Sequence, residues 1–388
     1  MQIAKSKRLE GIGEYYFSQK LREIEQLNKA GKNIINLGIG SPHLPPHPSV
    51  IKVLQDQAGL ENTHAYQSYK GVPALRNAIA EWYKIYYHVG LNPDTQILPL
   101  LGSKEGIMHI CMTYLNEGDQ VLIPNPGYPT YTSAVKLAGG TPVYFELTEQ
   151  NNWEPDFAAL EACDLSKVKL MWVNYPQMPT GKKPSMKLFE KLIAFGKQHQ
   201  ILICHDNPYS FILNDTPMSL LSVHGAMDTA IELNSLSKSQ NMAGWRIGML
   251  CGAEDRINEV LTFKSNMDSG MFLPVQHAAV AALGLGNDWY DSVNEIYAKR
   301  REKVFELLDT IQCKYSTNQV GMFVWAKIPE GFKDGYELSD QVLYKSNVFI
   351  TPGGIFGSAG NQFIRVSLCG SITKFEEAIQ RIKAQRTN

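Results

Sequence analysis

The segment SLSKSQNMAGWRIG (residues 235–248) joins two short apolar runs, AIELNS at 230–235 and RIGMLCG at 246–252. Five similar runs precede them, and helical periodicity separates many of these, as at 73–87 and 184–197. The five are ILPLLG at 97–102, QVLIP at 120–124, TPVYFEL at 141–147, VKLMWVN at 168–174 and ILICHD at 201–206. Apolar strands with helical crossovers are typical of a mostly parallel sheet covered on both faces. We therefore predict an α/β fold whose large domain holds a mostly parallel seven-stranded sheet covered by helices.

The two ends of the chain show a different pattern. A long helix is predicted at about 287–312, and it leads into alternating strands and helices. The strands are predicted at 321–327, 347–351 and 362–367, and the helices at 336–345 and 372–386. An N-terminal helix (Phe17, Leu21, Ile24, Leu27) and a strand over Ile34–Leu37 are predicted to join them. We predict a smaller α+β domain from both termini, with 1–47 joining it, 48–286 as the large domain and 287–388 as the C-terminal part.

Composition restricts the class of protein. The chain has 388 residues and a formal net charge of -1, which gives no reason to expect nucleic acid or an anionic membrane as a partner. No apolar run approaches the roughly 18–20 residues of a membrane helix, and the first residues contain no apolar core of a secretion signal. The six cysteines are scattered singly, which disfavours a metal or disulfide framework. We predict a cytoplasmic protein without a bound metal.

The lysine in SLSKSQNMAGWRIG is the first candidate for chemistry. Lys238 follows a buried strand and is flanked by Ser235 and Ser237, with Arg246 eight residues later. Lysine is rarely buried without a role, and a cationic neighbourhood lowers the pKa of an amine and frees its lone pair. A nucleophilic lysine beside a phosphate site, as in Schiff-base chemistry, would need this setting. An ordinary lysine in a surface loop is the alternative.

HDNPYSF (205–211) follows the buried strand ILIC. Asp206 therefore lies at the carboxyl end of a strand, where ligands of open α/β sheets bind, and Tyr209 follows three residues later. A carboxylate at that position could keep the ring nitrogen of pyridoxal phosphate (PLP) protonated, which makes the ring an electron sink. An Asx-turn with a packing tyrosine is the alternative.

Three other motifs are weaker when each is taken alone. LLGSKEGIMHICM (100–112) places Gly102 and Ser103 at a helix start, which suits either a phosphate or an ordinary N-cap. PGYPTY (126–131) places Tyr128 after a strand, where it could stack on a planar ring or pack in the core. Arg365, within the apolar strand FIRVSL, requires a carboxylate or phosphate partner, from the protein or from a substrate. LGIGSPH (37–43) and PGGIFGSAG (352–360) lack the spacing of nucleotide loops and are interpreted as turns.

The order of these motifs resembles the class I/II aminotransferases, PLP enzymes of fold type I like aspartate aminotransferase, over nearly the full length. The resemblance implies that Lys238 forms the Schiff base with PLP, that Asp206 pairs with the ring nitrogen and that Tyr209 bonds the ring's 3-oxygen. It further implies a set of cofactor ligands and a substrate-carboxylate site. The ligands are Gly102, Ser103, Lys104, Tyr128, Asn174, Ser235, Ser237 and Arg246, and the carboxylate site comprises Gly40 in LGIGSP and Arg365.

Tyr66 in YQSYKG matches the tyrosine that reaches the phosphate of the partner subunit in this family. The resemblance therefore implies a homodimer with shared active sites. It also implies transfer of an amino group from an L-amino acid to a 2-oxo acid, with amino-acid biosynthesis as the setting. A PLP-dependent lyase or synthase of the same fold, such as a C–S lyase or a decarboxylase, would use the same residues and is the alternative. A non-enzymatic PLP-sensing regulator would carry an added DNA-binding segment, and none is visible.

Two positions depart from the family pattern. Met178 in NYPQMPTG (174–181) occupies the place of an asparagine that donates to the ring's 3-oxygen, and a thioether cannot donate. We expect a shifted titration of the bound cofactor, unless Asn174 or Gln177 supplies the donor instead. His43 replaces the aspartate of the family's G-x-P-D motif.

The substrate is less well defined by the sequence. The pattern SNxDSG at 265–270 and the start YYFSQKLREI at 15–24 resemble the diaminopimelate and N-succinyl branch, which indicates an aspartate- or diaminopimelate-like donor. An aromatic or methionine-type donor is the alternative. Lys264 precedes this pattern and is predicted to be solvated rather than to meet a distal carboxylate.

Overall fold

The computed structural model describes residues 3–14 and 16–386, so Tyr15 in the N-terminal motif lies outside the described residues. The helices are α1 (Tyr16–Lys29), α2 (Pro48–Ala58), α3 (Pro73–Tyr87), α4 (Ser103–Tyr114), α5 (Pro129–Leu137), α6 (Phe157–Glu161), α7 (Met186–His199), α8 (Ala226–Thr229), α9 (Leu236–Ser239), α10 (Glu254–Ser265), α11 (Leu273–Leu283), α12 (Asn287–Thr310), α13 (Gly335–Ser346) and α14 (Ile372–Arg386). The strands are β1 (Ile35–Asn36), β2 (Ile97–Leu100), β3 (Gln120–Asn125), β4 (Thr141–Glu146), β5 (Val168–Val173), β6 (Leu202–Asp206), β7 (Ala230–Ser235), β8 (Gly248–Gly252), β9 (Lys314–Tyr315), β10 (Phe323–Lys327), β11 (Val348–Phe349), β12 (Thr351–Pro352) and β13 (Phe363–Ser367).

The large sheet has seven strands in the order β2-β8-β7-β6-β5-β3-β4. The five strands from β7 to β4 run parallel, and β8 is antiparallel to both of its neighbours. The prediction of a mostly parallel seven-stranded sheet is therefore confirmed. Apolar side chains such as Leu122 and Ile203 point to one face and Val121 and Cys204 to the other, so helices cover both faces.

The residues from both ends of the chain form two smaller sheets. β1 pairs in parallel with β11, and β12-β13-β10-β9 form an antiparallel sheet packed by α12 and α13, while α14 packs on β11 and on these two helices. One apolar cluster joins Ile35, Tyr297 and Phe375, which come from both ends of the chain. The predicted division of the chain at residues 47 and 286 stays a prediction. None of the helices in the described part of the chain is long and apolar enough to cross a bilayer.

The cluster of the smaller sheets also contains Met178 and Tyr209, which lie in loops of the large sheet. These loops follow β5 and β6 at their carboxyl ends. The edge of the large sheet where parallel strands end therefore packs directly against β10 and β13. A cleft between them is where an open α/β sheet places its ligand.

Candidate active site

A cavity of about 520 Å³ occupies this cleft. All the site residues predicted from the sequence line it, except Gly102 and Tyr66. Those that line it are Gly40, Ser103, Lys104, Tyr128, Asn174, Asp206, Tyr209, Ser235, Ser237, Lys238, Arg246 and Arg365. Segments that are more than 300 residues apart in sequence therefore meet around one space.

Lys238 lies on α9, the single helical turn that follows β7. Its Nζ donates to the carbonyl oxygen of Gly40 at 2.7 Å. Desolvation lowers the pKa of Lys238, and the charges of Arg365 and Arg246 act in the same direction. The structure thus gives Lys238 a partly buried environment with two arginines nearby, which favours the free amine.

Asp206 is the last residue of β6 and is buried. Its Oδ2 accepts a hydrogen bond from the hydroxyl of Tyr131 at 2.9 Å, whereas Oδ1 is buried without a hydrogen-bond partner among the described residues. Burial raises the pKa of this carboxyl to about 6, against the hydrogen bond from Tyr131. A buried carboxylate oxygen without a partner is costly, so an N–H donor in the cavity suits Oδ1.

Tyr131 was not among the predicted ligands, although its hydroxyl donates to Asp206. The ring of Tyr131 stacks on Trp172 of β5, with centroids 5.0 Å apart and planes 5° apart. The fixed ring sets the direction of the hydroxyl, which in turn fixes the rotamer of Asp206. The motif PGYPTY showed the position of Tyr131 after a strand, but only the sheet order places it beside Asp206.

A cup of hydrogen-bond donors lies at the end of the cavity nearest the start of α4. Ser235 and Ser237 are joined through their hydroxyls at 2.9 Å, and Arg246 Nη1 lies 3.4 Å from the hydroxyl of Ser237. Gly102 (φ 90°) precedes α4, and a Cβ there would lie 2.1 Å from Arg246 Nη2. Gly102 does not line the cavity, but its missing side chain lets Arg246 approach the helix start. Backbone N–H groups, hydroxyls and a guanidinium together suit a phosphate.

Arg365 lies on β13 and is buried. Its Nη2 donates to the carbonyl oxygen of Gly38 at 2.9 Å, and its guanidinium carbon lies 3.8 Å from the ring centroid of Phe323. A Cβ on Gly40 would lie 2.2 Å from the same ring, so glycine is required there. The guanidinium is thus fixed by a carbonyl and by aromatic faces, and it lines the cavity, where a carboxylate can bind it.

Met178 lies beside Arg365, with Sδ 3.2 Å from Nη1. Each amide that we considered as a substitute donor already uses one of its two N–H groups and its carbonyl oxygen in bonds within the protein. Asn174 donates to the carbonyl oxygen of Asp206 and accepts from the amide of Met178, and Gln177 donates to the carbonyl oxygen of Pro126 and accepts from Thr180. Tyr209 lines the cavity and is the nearby hydroxyl that remains for this position.

Tyr66 and Lys264 do not line the cavity. Tyr66 is 92% exposed and lies outside the cavity. The prediction that Lys264 is solvated is wrong, because it is only 1% exposed and its Nζ lies 2.5 Å from Asp268 Oδ1. Asp268 is four residues later, so one turn of chain brings a carboxylate over the ammonium group and offsets its loss of water.

Comparison with known proteins gives a consistent result. Residues 32–382 match the family described as aminotransferase class I and II. LL-diaminopimelate aminotransferases from Dehalococcoides mccartyi and Halothermothrix orenii are each 38% identical to this chain, and the alignment covers 97% of both proteins in each case. The substrate-bound structure of BacF from Bacillus subtilis has a TM-score of 0.93 at 35% identity and covers 99% of this chain and 98% of its own. An aspartate aminotransferase variant from Thermus thermophilus, at 22% identity, has the same fold with a TM-score of 0.91, covering 99% of this chain and 100% of its own.

The cavity fits the cofactor of that family. PLP carries a phosphate, a ring nitrogen and an aldehyde, and the donor cup, Asp206 Oδ1 and the amine of Lys238 are the complementary groups. All three groups line one cavity that is large enough for a small ligand. The match over residues 32–382, the relatives and the site together show that the chain belongs to the class I and II aminotransferases, PLP-dependent transaminases of fold type I.

Proposed function

We propose that the cavity residues divide the work of amino-group transfer between them. Lys238 holds PLP covalently, the amides of Ser103 and Lys104 with Ser235, Ser237 and Arg246 bind its phosphate, and Tyr128 stacks on its ring. Asp206 and Tyr209 bind the ring nitrogen and the 3-oxygen, and Asn174 holds the backbone of Asp206. The observation that carries this proposal is that Lys238, Asp206 Oδ1 and Arg365 line one cavity of about 520 Å³.

In this proposal each group acts on a stated atom. Arg365 binds the α-carboxylate of the substrate, and its contact with Phe323 fixes the direction of that carboxylate. When bound, PLP draws electron density away from the substrate's Cα. Lys238 removes the Cα proton as a general base, and its lowered pKa favours the free amine that this step needs. The carboxylate of Asp206 places a negative charge beside the ring nitrogen. The enclosed cavity limits access of water.

The relatives indicate the first donor to test. The LL-diaminopimelate aminotransferases cover 97% of this chain, so we propose a diaminopimelate-like L-amino acid as the donor and amino-acid biosynthesis as the setting. A second candidate is a donor with an apolar side chain. Phe17, Leu21, Ile39 and Phe356 line the cavity and offer such a side chain a hydrophobic wall.

The test is a half-reaction without any oxo acid. Purified protein with PLP is mixed with LL-diaminopimelate, aspartate, glutamate, phenylalanine and leucine in turn, and the absorbance change and the oxo-acid product are recorded. Conversion of bound PLP to pyridoxamine phosphate by LL-diaminopimelate supports the first donor, and faster conversion by phenylalanine or leucine supports the second. Release of ammonia, sulfide or CO₂ without pyridoxamine phosphate would point to a lyase or a decarboxylase and contradict the proposal.

We further propose that a second copy of the chain covers the surface around Tyr66. Exposed Tyr66 and Tyr69 lie on one loop, and exposed Met267 and Phe272 lie on another. The loops touch, because Phe272 contacts His64 and a Cβ on Gly270 would lie 2.3 Å from the carbonyl oxygen of Gln67. Exposed apolar side chains on adjoining loops are typical of an interface.

Light scattering on the purified protein tests this dimer. We expect the wild-type protein to have the mass of two chains. The double variant Met267→Asp, Phe272→Asp should have a mass closer to that of one chain. A monomeric wild-type protein with full activity would contradict the shared site. We also propose a cytoplasmic location, which the free state of all six cysteines supports, to be tested by cell fractionation.

A further inference from the structure

His205 and Glu232 form a buried pair behind the proposed active site. They are register partners on the neighbouring strands β6 and β7, and both are fully buried. Side chains alternate along a strand, so the ring of His205 lies on the opposite face of the sheet from Asp206, the next residue. There it packs against the edge of Phe189 on α7. Catalysis as proposed above does not use this pair.

Hydrogen bonds determine the protonation of the pair. Nε2 of His205 lies 2.9 Å from the carbonyl oxygen of Tyr175, which can only accept, so Nε2 carries a proton. Nδ1 lies 2.7 Å from Oε2 of Glu232. That carboxyl group also accepts from the hydroxyls of Tyr83 and Ser219 and from the amide of Leu220, at 2.9 to 3.0 Å. Four donors suit the two oxygens of a carboxylate, so the geometry favours a proton on Nδ1 as well, which would make the ring of His205 a cation.

A fully buried ion pair is an unusual choice for stability alone. Removing two charges from water costs more than their attraction returns unless other bonds compensate, and apolar residues of similar size serve as well. The position of the pair suggests another role. Burial, the largest influence, raises the pKa of Asp206, and the hydrogen bond from Tyr131 lowers it. The charge of His205 also lowers this pKa, and the charge of Glu232 has a smaller effect that raises it. The cationic end of the pair thus favours the ionised form of Asp206.

We propose that the His205–Glu232 pair is a positioning element that keeps Asp206 ionised against the ring nitrogen of PLP. The proposal rests on the assignment of Asp206 to that nitrogen. One proton is shared between Asp206 and the ring nitrogen, and the cation of His205 disfavours its transfer to Asp206. Replacing His205 alone leaves the negative charge of Glu232 behind Asp206. The proton then moves from the ring nitrogen to Asp206, and the ring withdraws electrons less strongly from the substrate.

The holoenzyme loaded with PLP labelled with ¹⁵N in the ring tests this directly, since the ¹⁵N chemical shift reports protonation of that nitrogen. We expect His205→Gln to move the shift towards that of neutral pyridine and to lower kcat about tenfold with a smaller change in KM. His205→Gln with Glu232→Gln removes both charges, so the shift should return most of the way to the wild-type value. Tyr83→Phe is the matched control, because it removes an uncharged donor to the other oxygen of Glu232, Oε1. It should leave the ¹⁵N shift of the PLP ring unchanged. A wild-type shift in His205→Gln would overturn the proposal.

Two further measurements keep the result interpretable. If His205→Gln does not fold, ¹⁵N-histidine spectra of wild-type apoprotein are compared with those of the double variant, whose missing signals identify His205. Two protonated ring nitrogens support the proposal, and a neutral ring overturns it. Asp206→Asn separates this inference from the assignment of Asp206. If that variant leaves the shift of the PLP ring unchanged, the proposed role of Asp206 fails. If it changes the shift and His205→Gln does not, only the role of the pair fails.

Discussion

The two walls of the cavity are built in different ways. The cofactor wall consists of strand ends and helix starts of the large sheet, and its polar groups hold one another at fixed distances, as in the bonds joining Ser235, Ser237 and Arg246. The substrate wall combines Phe17 of α1, the loop of Gly40, Met178 and Arg365 of β13. Its charged group is held mainly by aromatic rings and a carbonyl.

This difference has a functional consequence. Loops at strand ends of one sheet give a site that is identical for every substrate, as a cofactor requires. A wall gathered from α1 and β13 can change its side chains without disturbing the large sheet. We therefore expect changes on the cofactor wall to affect every substrate equally and changes on the substrate wall to affect them differently.

Lys238→Ala should give the largest effect. Loss of a positioned general base costs about 10²- to 10⁴-fold in rate, and the covalent hold on PLP is lost as well. We expect kcat to fall by about 10³-fold or more for every donor, while the melting temperature changes little because the amine of Lys238 bonds a loop carbonyl, that of Gly40. Stopped-flow absorbance and a thermal melt measure both. A donor that still reacts at the wild-type rate would contradict the expectation that changes on the cofactor wall affect every substrate. It would also show that Lys238 is not the general base.

Arg365→Lys tests the substrate wall. Lysine keeps the charge but loses the planar group that stacks on Phe323 and can bind a carboxylate with two bonds. A charge-assisted bond contributes about 1.5–3 kcal/mol, so KM for the amino donor should rise about 10- to 100-fold. The dissociation constant for PLP, measured by fluorescence, should stay within about twofold of the wild-type value. An equal loss of PLP binding would show that the two walls are not independent.

Much of the cofactor wall was predictable from the sequence because its residues fall in short motifs. Lys238 and Arg246 lie in one stretch of fourteen residues, and the elements before and after it were predicted as strands. The seven strands were recognisable because each is an apolar run with a helical pattern near it. The antiparallel direction of β8 was not predicted, since an apolar run has no direction of its own.

Contacts across the fold were not predictable in the same way. Tyr131 reaches Asp206, which is 75 residues away in sequence, only because β3 and β6 lie in the same sheet. Lys264 was expected to be solvated, but Asp268 covers it, and the two side chains are only 1% and 10% exposed. The hydrogen bonds from Asn174 to the carbonyl oxygen of Asp206 and from Gln177 to that of Pro126 were likewise not predictable, because these partners are distant in sequence.

Met178→Asn acts where the two walls meet. The new amide can donate to the 3-oxygen of PLP, whose usual donor in this family is missing here, and it replaces the sulfur beside Arg365. Stabilising the deprotonated oxygen should lower the pH midpoint of the absorbance titration of bound PLP by about one unit. Met178→Leu, which cannot donate, is the control and should leave the midpoint in place. Identical midpoints for Met178→Asn and wild type would mean that Tyr209 alone supplies what this oxygen needs.

His43→Asp should give the smallest effect, on stability rather than on rate. His43 follows the loop of Gly40, and its Nε2 lies 3.2 Å from Nη2 of buried Arg300, which has no carboxylate within 4.0 Å among the residues described. Partial desolvation of the ring, and then the charge of Arg300, lower the pKa of His43 below its ordinary value of 6.5. The unfolded chain therefore binds this proton more readily, so the stabilising effect of neutral His43 is complete above about pH 6.5 and is lost as the pH falls below it.

An aspartate at position 43 would pair with Arg300 and stay ionised through that range. Since position 43 is exposed to solvent, the gain should be under about 1 kcal/mol. Melting temperatures of the two proteins should therefore lie close together at pH 7.5 and separate as the pH falls to 5.5, with His43→Asp the more stable. His43→Asn neither titrates nor forms an ion pair. It therefore separates the effect of removing the titration of His43 from the effect of a new ion pair with Arg300. Curves that stay parallel from pH 7.5 to 5.5 would show that His43 does not titrate against Arg300.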